Sequence, residues 1–230
     1  MKLVKGAQSI AYDRAPYLIS SAAVVGKKEG EGPIGEMFDL VGESDLFGEN
    51  TWEEAESTMQ REACLLAMGK AHVSQNQVRY LFGGDLLRQG IATSMGACMA
   101  PAACNTIWQN LQDFGRTPED YSRIITGDLG YVGQSILFDL LLEKGYDIRG
   151  KHLDCGMTIF DQQTQDTHAG GSGCGCAATV LSAYILPKIE RGEWERVLFV
   201  PTGALMSTVS YNEGASVPGI AHAIVLEHEA

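Results

Sequence analysis

The sequence predicts an α/β protein of two related halves, the first of them incomplete. Three observations carry this reading. An apolar stripe at helical spacing occurs twice, at an offset of 43 residues measured from Ser74 to Thr117. Each stripe is followed by a turn with a capping residue and then by a short apolar run. Each run leaves through the same tripeptide, Gly84-Asp85-Leu86 and Gly127-Asp128-Leu129. A duplicated helix, loop, strand and exit argues for α/β units with parallel strands and helices on the sheet faces.

Taken in order, the acidic stretch at residues 42–57 reads as a solvated loop running into a helix that starts near Asn50 or Thr51, where acids suit the first turn. Cys64, Leu65, Met68 and Ala71 form the first stripe, and Ile107, Trp108, Leu111 and Phe114 the second, with Pro101 at the start of that second helix. The runs Val78 to Phe82 and Tyr121 to Ile125 read as strands. After Asp128 come a helix from about Gln134 to Lys144 stopped by Gly145, an irregular stretch around Cys155 and a glycine-rich turn. A helix with Ala177, Val180, Leu181, Tyr184 and Ile185 on one face follows. Strands Arg196 to Pro201 and Ile220 to Glu227 close the chain. The first copy has no such tail, so the chain divides into a truncated half, residues 1–94, and a complete half, residues 95–230.

Composition narrows the function. With 45% hydrophobic and 20% charged residues the chain can bury a substantial core, and 17 basic against 29 acidic residues, net −12, disfavour nucleic acid or an anionic membrane as the main partner. No signal-peptide core or membrane-spanning run is present, so a cytosolic setting is expected, with the six cysteines as reduced thiols.

The stretches GEGPIGEMFD, GGDLLRQ, MGACMAPAA, GRTPEDY, TGDLGYVGQ, KHLDCGM, HAGGSGC and IAHAIVLE together resemble the stage V sporulation protein AD family of endospore-forming bacteria, within the thiolase-like superfamily. The resemblance runs in two blocks, about residues 1–93 and 95–228, and a large internal segment of the first half is missing between them. It implies a thiolase-like layered αβαβα fold of two related halves. It also implies binding of dipicolinic acid, which accumulates with calcium, for uptake into the developing spore. The expected place is the cytoplasmic side of the forespore or spore inner membrane, peripherally bound beside other proteins of the dipicolinate transport system, with no cofactor. The missing segment carries the superfamily's nucleophile position. Cys98 stands in a Gly-Ala-Cys that matches the opening of the second half instead, so it is not assigned that role.

The glycine-rich turn is the main candidate site: His168, Gly170, Gly171, Ser172 and Gly173, with Asp128 from the strand exit. Free N–H groups at a helix start favour an anion such as a planar dicarboxylate. The same residues also read as a tight strand-to-helix entry capped by Ser172, with His168 as a solvated loop residue. Asp85 and Asp128 sit where strand ends face a crevice, but also where they would cap the next helix. Lys151 and His152 are a basic pair whose ordinary role is solvated surface. Cys174 and Cys176 with His168 make a poor zinc set, because a two-residue step on a helix points thiols apart. Acyl transfer is not expected: where many condensing enzymes place a histidine, this chain has Thr126-Gly127-Asp128. Two alternatives stand beside the binding reading, an acyltransferase using Cys98 or Cys174 and an interaction subunit with no ligand. Loss of a strand-bearing block is expected to leave apolar surface uncovered, covered by a homodimer or yielding a poorly soluble product.

Overall fold

The computed structural model describes residues 3–82, 95–167, 173, 175–204, 213 and 217–229. The chain opens with a hairpin of β1 (Val4–Lys5) and β2 (Ser9–Ile10). Then come β3 (Val24–Val25), a short helix α1 (Lys27–Gly30), β4 (Leu40–Val41), which pairs parallel with β3, and the long helix α2 (Trp52–Lys70). Thr51 caps α2, accepting from the Glu54 N–H at 3.2 Å, as the acidic loop predicts.

The second half holds α3 (Met95–Phe114), β5 (Arg123–Thr126), α4 (Gly130–Glu143), β6 (His152–Asp154) and α5 (Cys155–Ile159). One helix follows in three parts: α6 (Cys176–Val180), a π-helical turn Leu181–Ile185 and α7 (Leu186–Glu190). Pro187 lacks an N–H and its ring crowds the carbonyl four residues back, and the wider π turn lies immediately before it. The chain ends in β7 (Arg196–Val200), β8 (Thr202–Ala204), β9 (Gly219–Ala221) and β10 (Ile224–Glu227).

The main sheet has the order β10-β7-β5-β6, with β5 parallel to both neighbours and β10 antiparallel to β7. Alternation along the strands sorts the core into two clusters. Ile124, Leu198 and Val200 pack with Met99, Ile107, Leu111, Leu137 and Leu141 of α3 and α4. Ile125, Val197 and Phe199 pack with Ile159, Val180, Ile185 and Ile189, and this second cluster also takes in Ala23, Val25, Ile34 and Phe38 of the first half. α2 lies against β3, held by Ser20 Oγ donating to the Ala67 carbonyl at 2.7 Å and by a Lys70–Asp39 ion pair at 2.6 Å. The protein is α/β.

The duplicated register is visible at the turns. The Ser74 N–H donates to Gln77 Oε1 at 2.9 Å and the Thr117 N–H to Asp120 Oδ2 at 2.7 Å, equivalent bonds at the two capping residues. Four expectations need correction. Val78 to Phe82 is not a strand: Tyr80, Leu81 and Phe82 are 78%, 78% and 90% exposed, and a strand needs a neighbour to pair with. The first stripe is not a core face, since Cys64 and Leu65 are exposed and Ala55 alone of α2 is buried. The second helix is already formed at Met95, ahead of Pro101, and Gly96 lets it close on α4: a Cβ at Gly96 would run into the Leu129 carbonyl oxygen. The closing strand is split into β9 and β10 where Pro201, between β7 and β8, has no N–H to give the ladder.

Candidate functional site

Parallel pairing of β5, β6 and β7 brings Thr126, Asp154 and Val200 to one edge of the sheet, where α4 and the α6–α7 helix also begin. Gly127 is the junction. Its N–H donates to the Val200 carbonyl at 3.1 Å, and its own carbonyl accepts from the Gly156 N–H at 3.2 Å and from the Cys176 thiol at 3.8 Å. Asp128 follows. Its N–H donates to Thr202 Oγ1 at 3.2 Å, and its Oδ2 accepts from the Gly173 N–H at 3.3 Å.

Asp128 and Gly173, two of the residues assigned to a ligand site, are thus brought together. Gly173 has a φ of +89°, a left-handed conformation that a side chain would strain. His168, Gly170, Gly171 and Ser172 lie outside the described residues, as do Cys174 and Asp85. Beside Thr202 a shallow groove of about 320 Å³ runs along Pro201, Gly203, Ile220 and His222. A polar cleft of about 340 Å³ lies at the opposite edge of the sheet, where Lys151 pairs with Glu119 at 3.1 Å and Arg196 with Glu227 at 2.5 Å.

Capping of α4 falls to Asp154, not Asp128. The Asp154 side chain is 2% exposed and accepts four bonds: from the Thr126 hydroxyl at 2.6 Å, the Leu129 and Gly130 N–H groups at 2.9 and 3.2 Å, and the Met157 N–H at 3.4 Å. Burial holds its carboxyl above the ordinary carboxylate range, outweighing the four donors that pull it down. An aspartate closing an apolar strand and opening a helix, in KHLDCGM, is a capping signal that the irregular-stretch reading passed over.

Lys151 and His152 are not a solvated basic pair. His152 packs edge-on against Phe138 with ring centroids 5.1 Å apart, and burial lowers its pKa to about 4. Lys151 donates to the Tyr121 carbonyl at 3.2 Å. The thiols of Cys98 and Cys155 are quiet as well. Cys155 is fully buried and pushed well above the ordinary thiol range, by burial first and then by the neighbouring Cys176, Asp154 and Asp128. Cys98 donates to the Val217 carbonyl at 2.9 Å, and burial raises it too. Among the described residues no group of His, Cys, Asp and Glu is arranged to hold a metal ion.

This arrangement can be set beside known proteins. The family model for Stage V sporulation protein AD (SpoVAD) matches residues 6–95 and 91–227. The chain belongs to the stage V sporulation protein AD family. Stage V sporulation protein AD of Bacillus subtilis (strain 168) is 27% identical over 334 aligned residues, covering 99% of this chain and 98% of that protein. Because this chain has 230 residues, an alignment of that length opens a large internal gap. The two matched stretches meet at residues 91–95, close to where the internal repeat loses its tail. Among the described residues no helix is long and apolar enough to cross a membrane.

Proposed function

We propose that this chain is a non-catalytic member of its family that binds dipicolinic acid and serves its uptake into the developing spore. The observation that carries the reading is the meeting of Asp128 and Gly173 at the carboxyl ends of β5 and β7, in the part of an α/β sheet where ligands enter. A planar dicarboxylate suits main-chain N–H groups at that edge, where one of them already holds a carboxylate. The raised Cys98 and Cys155 thiols support loss of acyl chemistry. The protein acts at the cytoplasmic face of the spore inner membrane, with other proteins of the same transport system, and as a homodimer.

Titration calorimetry with dipicolinate, with and without calcium, tests the proposal. Saturable heat is the expected result; no heat from a folded chain sinks it. Intact-mass measurement after incubation with acyl-CoA separates the acyltransferase alternative, which requires a covalent adduct on Cys98 or Cys174.

A further inference from the structure

His152 and Asp154 stand on β6, a strand of three residues that is the outermost of the sheet among the described residues, where it pairs with β5. Both side chains reach Thr126. Its hydroxyl donates to Asp154 Oδ2 at 2.6 Å, so its oxygen accepts from His152 Nε2–H, the two atoms being 2.9 Å apart. The ring is therefore the neutral Nε2–H tautomer, and its Nδ1 accepts from Gln134 Nε2 at 3.1 Å. Every polar atom of the ring is used, and a second ring proton would point at an amide donor. Asp154, at the far end of the same strand, holds the Leu129 and Gly130 N–H groups and so fixes the loop that carries Asp128.

We propose that β6 is an acid-released latch: protonation of His152 is relieved by withdrawing this edge strand into water, which takes the Asp154 carboxylate off the Leu129–Gly130 loop. The groups facing the ring favour strand release over local compensation. β5 presents Thr126, and α4 presents Gln134 and Phe138, none of them charged. On β6 itself Asp154 already accepts four bonds, and the adjoining Lys151 is engaged with Glu119. An edge strand is also the part of a sheet that leaves with the fewest bonds broken.

The direction follows from linkage. Burial lowers the His152 pKa from 6.5 to about 4 in the closed form, so the open form binds more protons between those values. Opening should therefore rise by about tenfold per pH unit as the pH falls through that window, and level off below it. The latch goes beyond the ligand reading and does not depend on it; loosening of the Asp128–Gly173 contact is its consequence for that site.

The test is amide hydrogen exchange by NMR on the full chain, expressed as protection factors, with the ring tautomer read from ¹⁵N-histidine spectra. Expected are an Nε2–H tautomer at neutral pH and protection of Leu129 and Gly130 that falls from pH 6.5 towards 4 while Leu137, inside α4, stays protected. In His152→Gln, whose amide can still donate to Thr126, the pH step should vanish. An ordinary His152 titration, loss of Leu129 and Leu137 protection together, or a step that survives in His152→Gln would overturn the latch. If that variant does not fold, the wild-type tautomer and the two amides decide alone. Calorimetry at pH 7 tests the ligand reading separately.

Discussion

Asp128 and Asp154 divide between them two roles that look interchangeable in the sequence. Each follows or closes a strand of the same sheet, yet Asp154 is buried against four donors while Asp128 reaches across to the Gly173 turn. Removing the buried one should be expensive. Asp154→Ala leaves three N–H groups and a hydroxyl without their acceptor, at 1–3 kcal/mol for each donor left unsatisfied, so a loss of about 3 kcal/mol or more is expected in urea unfolding. Removing the charge of the other should help a ligand. Because the Asp128 carboxylate competes for the Gly173 N–H and repels a dianion, Asp128→Asn should tighten dipicolinate binding several-fold in calorimetry, and weaker binding would make Asp128 a ligand contact instead. The sequence shows that an aspartate stands at the strand exit, but which of two aspartates caps the helix depends on how parallel strands align, and that register is not local information. His152 reads as solvated surface for the same reason: nothing in Lys-His-Leu-Asp says that Phe138 will cover the ring.

At the scale of elements, α3 and α4 cross with backbone against backbone. A Cβ at Gly133 would lie 2.7 Å from the Gly96 carbonyl oxygen and 2.8 Å from its carbon, neither of which can turn aside. Gly133→Ala is therefore expected to destabilise by about 1–3 kcal/mol despite alanine's better helix propensity, and thermal unfolding checks it. Helices of the second half were largely legible, because Ile107, Leu111, Leu137 and Leu141 repeat at helical spacing and all four are fully or almost fully buried. Turn chemistry was legible too, down to Ser74 and Thr117, since capping depends on residues three apart. What misled was the first copy. Its stripe and its β-rich run have the right local pattern, but Leu65 and Tyr80 are exposed and meet no partner layer among the described residues, which pattern alone cannot report.

The whole molecule is unevenly finished. Both clusters of the core draw on the main sheet, whereas the first half sends only a few residues, such as Val25, Ile34 and Phe38, into one of them. Apolar side chains stay in water in two runs: Tyr17, Leu18 and Ile19 are 70%, 62% and 73% exposed, and Tyr80, Leu81 and Phe82 are more exposed still. Such surface drives association. Sedimentation should show mass rising with concentration, and Leu81→Lys with Phe82→Lys should shift the protein towards monomer; a monomer at every concentration in the wild type would contradict this. The location of the gap was readable because two copies of one unit can be compared within a single chain. Its cost in exposed surface was predictable in kind, though not to the residue.

The sparse seating of α2, with Ala55 its one buried side chain, reaches beyond stability. Substitution tolerance should be distributed unequally along the polypeptide: a scan of every position would find the outward turns of this helix nearly indifferent to change, while comparable positions of α3 reject all but the smallest alterations. A library selected for folding would therefore diversify the amino-terminal limb first and leave the sheet-bearing half almost as it is.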